Sequence, residues 1–176
     1  MVNFFLKEKT LNANNKSFKY IEKGEGNLVL LVHGWPESCH SWLNQIFFIS
    51  NLGFKVVAIN VRGYAGSFSP RSIQSYKLSF FIEDIIDIIN YFKRENAILI
   101  GHDWGAPICW TTAAYYKEKI TAVIGLSVPF TKRGKISSTK LWQKLYKNIF
   151  FYQNYFQYEN IPEKELEKNI SETLLK

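Results

Sequence analysis

Cysteine and histidine are scarce in this chain: Cys39 and Cys109, and His33, His40 and His102, are all that 176 residues contain. Two isolated cysteines make no disulfide framework, and no His/Cys spacing matches a metal-ligand motif. A structural zinc site, and any other bound metal, is therefore not expected. The cysteine usage fits a reducing, cytoplasmic setting. No apolar run approaches the roughly 18 residues needed to cross a bilayer. The leading residues, Met1 to Lys7, lack the basic start and long apolar stretch of a signal peptide. Internal repeats, low-complexity tracts, a P-loop and nucleic-acid-binding motifs are also missing.

What is present is apolar mass. Hydrophobic residues make up 47% of the chain and aromatics 16%, against 21% charged, which suits a packed globular core and excludes overall disorder. The net charge of +7 is unevenly spread. Residues 1–131 carry 13 basic and 10 acidic side chains, 132–147 six basic and no acidic, and 148–176 three basic and five acidic. The excess is one local segment, Lys132 to Lys147, and reads as a solvated basic helix face over 140–149. No nucleic-acid partner is expected from it.

Short continuous apolar runs at 27–32, 55–61, 97–100 and 121–126 have the pattern of strands buried on both faces, as in a parallel sheet covered by helices. An alternating segment at 17–22 reads as a more exposed strand. Helical periodicity lies between them: 41–52, closed by Gly53; 76–94, with Glu83, Asp84 and Asp87 on the face opposite its apolar stripe; and 104–117. Strand and helix in alternation predict an α/β core, a mostly parallel sheet flanked by helices, over residues 1–131. After Pro129 the character changes. Residues 132–176 read as appended helical material: a basic turn-rich stretch, a helix through Leu141 and Ile149, an aromatic segment at 150–157, and an acidic helix opening at Pro162.

The strongest chemical signal is Gly101-His102-Asp103-Trp104-Gly105-Ala106, between the apolar strand 97–100 and an apolar helix. Small residues on either side allow the sharp strand-to-helix turn that lifts a central side chain above a sheet. That side chain is Asp103. A carboxylate is already anionic at neutral pH and can attack a saturated, electrophilic carbon without a neighbouring base. The second signal, His33-Gly34-Trp35-Pro36-Glu37, directly follows the strand at 28–32.

With these two motifs the sequence resembles the soluble-type epoxide hydrolases of the α/β-hydrolase fold. The resemblance covers nearly the whole chain, including Arg62-Gly63-Tyr64-Ala65-Gly66-Ser67, with Ala65 where glycine is usual, and Ser127-Val128-Pro129-Phe130. Its most specific part is Tyr152-Gln153-Asn154-Tyr155-Phe156-Gln157. It implies that Asp103 forms a covalent ester with a small apolar epoxide and that the product is a vicinal diol. It further implies that the backbone N–H groups of Trp35 and Trp104 form an oxyanion hole, and that Tyr152 in a helical cap, with Tyr155 as the nearby alternative, assists ring opening. His33, Pro36 and Tyr155 are expected at the substrate pocket. No cofactor is implied.

The resemblance also implies parts that these residues do not supply. The family's histidine base, its acidic partner, the second cap tyrosine and the last strands all lie downstream of the matched region, and Ser127-Val128-Pro129 offers no acid. The three histidines are expected in structural roles. The chain thus looks like the N-terminal part of an epoxide hydrolase, whether a fragment, a split gene whose second polypeptide completes the fold, or a degenerate copy. Two other functions share the motifs. A haloalkane dehalogenase uses the same aspartate followed by tryptophan, although Trp35 lacks the side-chain amide often found in the first loop. A catalytically inactive remnant would act as a binding protein.

Overall fold

In the computed structural model, residues 6–64, 66–132 and 134–175 are described; the leading five residues, Ala65, Arg133 and Lys176 lie outside them. The chain divides into two compact units, Met1–Phe130 and Thr131–Lys176.

The first unit is built on a six-stranded sheet: β1 (Lys9–Ala13), β2 (Lys16–Lys23), β3 (Asn27–Val32), β4 (Phe54–Ile59), β5 (Ala97–His102) and β6 (Ile120–Leu126), in the order β1-β2-β4-β3-β5-β6. β4, β3, β5 and β6 run parallel, while β1 and β2 join antiparallel at one edge. The continuous apolar runs follow from this placement. Leu28, Leu30 and Val32 of β3 enter one core cluster, and Val29 and Leu31 enter the other, so the central strand is buried on both faces from Leu28 to Val32. Helices α2 (Leu78–Tyr91) and α3 (Gly105–Tyr115) cover the first face with Ile85, Ile88, Ile89 and Ile108. Helix α1 (Leu43–Asn51) covers the second with Ile46.

Three local features depart from the sequence reading. Strand β1 was not expected; it is short, and its register rests on the turn at Asn14 and Asn15, both left-handed at φ 48° and 60°. Asparagine tolerates that conformation, which suits a two-residue hairpin. β6 lies at the sheet edge and is less buried than its apolar sequence suggests, with Ile124 and Leu126 exposed. Asp84 is not on a solvated helix face.

Asp84 is instead 3% exposed, and its carboxylate accepts a fork of two 2.7 Å hydrogen bonds from Nε and Nη2 of Arg62, itself buried. The guanidinium also donates to the Ser75 and Phe80 carbonyls and lies over the rings of Phe68, Phe80 and Phe81. Lys16 Nζ approaches Asp84 and Asp87 at 2.7 Å each. The charges are buried only because each is met by the other's geometry.

The second unit holds α4 (Ser138–Leu145), α5 (Tyr152–Tyr155), α6 (Pro162–Glu167) and α7 (Ile170–Leu175). Ser137 caps α4, its Oγ accepting the Lys140 N–H. The helix expected through Ile149 stops at Leu145. Beyond it, Phe151 stacks on Tyr146 at 4.3 Å and meets Trp142 edge-on, folding the aromatic segment back on the helix end. Among the described residues, no helix is long and apolar enough to cross a membrane.

Removing one partner of a buried, hydrogen-bonded ion pair leaves the other charge uncompensated. Asp84→Asn is therefore expected to lower unfolding free energy by about 3 kcal/mol. Lys9→Ala, which breaks an exposed pair with Glu22, should cost under about 1 kcal/mol. Urea unfolding monitored by circular dichroism measures both, and equal costs would contradict this account of the buried pair.

Candidate active site

β5 ends at His102 and α3 begins at Gly105, so the chain reverses within two residues. Asp103 occupies the turn with φ 50°, a left-handed conformation that costs a non-glycine residue about 1–3 kcal/mol. The turn closes because its neighbours lack side chains. A Cβ on Gly101 would lie 2.7 Å from the Ala106 Cα, and one on Gly105 would lie 2.7 Å from the Val32 carbonyl carbon. The Asp103 N–H donates to the Leu126 carbonyl at 3.3 Å, and the Ala106 N–H to the Asp103 carbonyl at 3.0 Å. The strained residue is thereby tied to β6 on one side and to α3 on the other.

The loop after β3 meets this turn directly. The Trp35 N–H donates to Asp103 Oδ1 at 3.0 Å. Gly34 makes the approach possible, since a Cβ there would come within 2.8 Å of the Asp103 carboxyl carbon. Trp104 follows the aspartate at the N-terminal end of α3, where backbone N–H groups and the helix dipole favour negative charge. Both tryptophan side chains are partly exposed, Trp35 at 39% and Trp104 at 49%, as is Pro36. Tyr64 is the other group near the aspartate. Burial first, and then the Asp103 charge, push its hydroxyl up to about 12.

His33 is built into this loop. Its ring is fully buried and both nitrogens are engaged by backbone: Nδ1 donates to the Gly34 carbonyl at 2.7 Å, and Nε2 accepts the Val61 N–H at 3.2 Å. Those partners define a neutral ring with the proton on Nδ1. Tyr64 packs edge-on against it at 4.9 Å. Bonded on both nitrogens, the ring supports the loop from beneath.

Glu37 and His102 form a pair that spacing alone did not reveal. His102 Nδ1 lies 3.0 Å from Glu37 Oε2, which also accepts the Gly34 N–H at 3.4 Å. They line a small cavity of about 160 Å³ with Ser41, Trp42, Gln45 and Leu126. The residue before Asp103 is thus joined to the loop that carries the Trp35 amide. Glu37 stands three residues after Gly34, so only the fold, not the motif, shows that it reaches His102.

The tyrosines belong to the second unit. Tyr152 Oη accepts a hydrogen bond from Gln153 Nε2 at 2.9 Å. The Tyr155 hydroxyl donates to Glu165, and this bond, ahead of burial and the nearby acidic charge, raises its pKa. Away from these residues, Glu8, Cys39 and His40 bring one ligand atom each within 4.8 Å of one another. Glu8 lies more than 30 residues before the other two, which is why spacing missed it.

A nucleophile-type turn after a central parallel strand, facing a backbone amide from the loop after the neighbouring strand, defines the class of protein. The model of the alpha/beta hydrolase fold matches residues 27–169, and the chain belongs to that family. Among its relatives, epoxide hydrolase A of Mycobacterium tuberculosis (strain ATCC 25618 / H37Rv) is 32% identical over 95% of this chain and 52% of its own length. Bifunctional epoxide hydrolase 2 of Sus scrofa is 36% identical over 88% of this chain and 28% of its own length. The chain thus spans about half, or less, of the curated relatives it matches. Epoxide hydrolase A from Mycobacterium thermoresistibile superimposes with a TM-score of 0.91 at 34% identity, covering 96% of this chain and 54% of that one. An epoxide hydrolase from Vigna radiata gives 0.90 at 34% identity, covering 96% and 56%.

The buried, neutral His33 makes stability depend on pH. Burial, outweighing the Gly34 hydrogen bond and the Glu37 charge, lowers its pKa below the ordinary 6.5. The unfolded chain then binds a proton that the folded chain refuses, so stability is full above pH 6.5 and falls as pH drops from there towards the folded value. His33→Asn should flatten the dependence of the urea midpoint between about pH 7 and pH 5. An identical slope in the variant would show that His33 is not the titrating group.

Proposed function

We propose that this chain carries the nucleophile and first oxyanion donors of an epoxide hydrolase, and that Asp103 opens a small apolar epoxide through a covalent aspartyl ester. The observation that carries this reading is the hydrogen bond from the Trp35 amide to Asp103 Oδ1 across a left-handed turn. It assigns the two carboxylate oxygens different tasks. Oδ1, already held, becomes the ester carbonyl; Oδ2 attacks the epoxide carbon as the ring C–O bond breaks. The epoxide oxygen leaves as an alkoxide and takes a proton from a phenol, assigned to Tyr152 by its place in the Tyr-Gln-Asn-Tyr-Phe-Gln segment. Water then adds to the ester carbonyl, and the charge gathering on Oδ1 is met by the Trp35 amide and, in the same reading, that of Trp104.

The second half-reaction needs a base to activate that water, and the described histidines are engaged elsewhere. His33 is held by the Gly34 carbonyl and the Val61 amide, His40 Nδ1 lies 3.5 Å from Cys39 Sγ, and His102 Nδ1 is on Glu37. The residues on this chain therefore favour ester formation over ester hydrolysis. A second polypeptide that completes the sheet beside β6 and carries a base would restore turnover. The relatives support the choice of epoxide over other electrophiles, since those reported above are epoxide hydrolases.

Incubation with a reactive aryl epoxide is expected to leave a persistent adduct on a peptide containing Asp103, read by mass spectrometry and absent in Asp103→Asn. Multiple-turnover diol release by the purified 176-residue chain would refute the assignment of the halves. Tyr152→Phe should slow adduct formation at least tenfold, in line with general-acid catalysis, with an unchanged circular dichroism spectrum. An unchanged rate would remove Tyr152 from the mechanism.

A further inference from the structure

A second group of chemically active side chains gathers away from the residues that touch Asp103. Cys39 and His40 begin the 3-10 turn Cys39–Trp42 that leads into α1, and Glu8 directly precedes β1. Cys39 is fully buried, while Glu8 and His40 are exposed, so a thiol forms the floor of a site whose other two donors reach solvent. We propose that Glu8, Cys39 and His40 form a binding site for a borderline divalent transition metal, Zn²⁺ foremost, with water as fourth ligand.

Geometry carries the inference. Zn–S and Zn–N bonds of about 2.3 and 2.05 Å at a tetrahedral angle place sulfur and nitrogen about 3.6 Å apart. Cys39 Sγ and His40 Nδ1 lie 3.5 Å apart. The full set spans no more than 4.8 Å, so closing the remaining edge asks only for movement of the exposed Glu8 side chain. The surroundings hold the donors in place. The Cys39 N–H donates to the buried Asn60 Oδ1 at 2.6 Å, and the His40 N–H to Ser38 Oγ at 3.3 Å. Lys19 Nζ stands 3.7 Å from Glu8 Oε1.

The donor chemistry selects the ion. One sulfur, one imidazole nitrogen and one carboxylate oxygen suit Zn²⁺, whereas Mg²⁺ and Ca²⁺ require an all-oxygen shell. Without a metal, burial and then the Glu8 charge push the Cys39 thiol up to about 12, so it is protonated and unreactive at neutral pH. Metal binding would displace that proton and leave a thiolate on the ion. The bound metal would clip the segment before β1 to the turn that follows Trp35 and Glu37, a structural task separate from the reaction at Asp103.

The 176-residue chain is titrated with Zn²⁺ in competition with a chromophoric chelator, and separately with Co²⁺ as an optical probe. One equivalent of Zn²⁺ is expected, with a rise in melting temperature, and Co²⁺ should show a thiolate charge-transfer band. His40→Ala and Glu8→Gln, both at exposed positions, should each weaken Zn²⁺ binding at least tenfold and remove the thermal shift. Cys39→Ser should lose the cobalt band. Equal Zn²⁺ affinity in the wild-type chain and His40→Ala, or Co²⁺ bound without a thiolate band, would overturn the proposal.

Discussion

The constraint on which the rest depends is the left-handed backbone at Asp103. A carboxylate on an ordinary helical or extended residue would point along its strand or lie against its helix. Forcing φ to 50° lifts it out of both. That conformation is unfavourable for aspartate by itself and persists only where the surroundings over-determine it. Here they do so by subtraction: Gly34, Gly101 and Gly105 each stand where a Cβ would strike the turn or the adjoining strand. The buried β3–β5 pairing, Val32 opposite Gly101, brings those three glycines to one point. A packed parallel sheet is thus the source of the local strain, and the strain sets the position of the Asp103 carboxylate.

The unit places two carboxylates in opposite environments. Asp84 is sealed between Arg62 and Lys16, with both oxygens taken by charged donors. It has no capacity left for chemistry, and its work is to anchor the loop after β4 against α2. Asp103 is half-buried and accepts a neutral backbone donor, the Trp35 N–H. A neutral donor orients a carboxylate without neutralising it, which is the environment the proposed attack requires. Had Arg62 lain beside Asp103 instead, the same residues would have made an ion pair and no nucleophile.

The legible features are those whose signal is local. The runs at 27–32 and 97–100 show buried parallel strands because both faces of each are covered, and the glycines around Asp103 show the turn because no bulkier residue fits it. Asp84 was misread for the converse reason. Helical periodicity placed it on a polar face, and its burial depends on Arg62, 22 residues away in sequence. His33 was legible as a structural part of its loop, but not its second partner, the Val61 amide, which comes from the chain just beyond β4. The end of α4 at Leu145 escaped for a related reason, because the Tyr146–Phe151 stack that follows it is a contact between aromatic residues and not a breaker motif.

The loop from His33 to Trp42 is where these threads meet. It has little regular structure before Cys39, yet it is held at successive points: the His33 ring by the Val61 amide, and the backbone N–H groups of Gly34, Trp35 and Cys39 by Glu37, Asp103 and Asn60. Asn60 itself is held from both sides, its N–H on the Lys19 carbonyl and its carbonyl on Ser67 Oγ. An oxyanion donor is worth most when it is already in position as charge develops, because no reorganisation is then charged against the barrier. A flexible loop could present the same Trp35 amide only by ordering itself during the reaction, at about 1–2 kcal/mol of backbone entropy for each residue fixed. The hydrogen bonds that look merely structural, from Asn60 and His33, remove that cost in advance, which ties the proposed role of the Trp35 amide to the folding of the surrounding sheet.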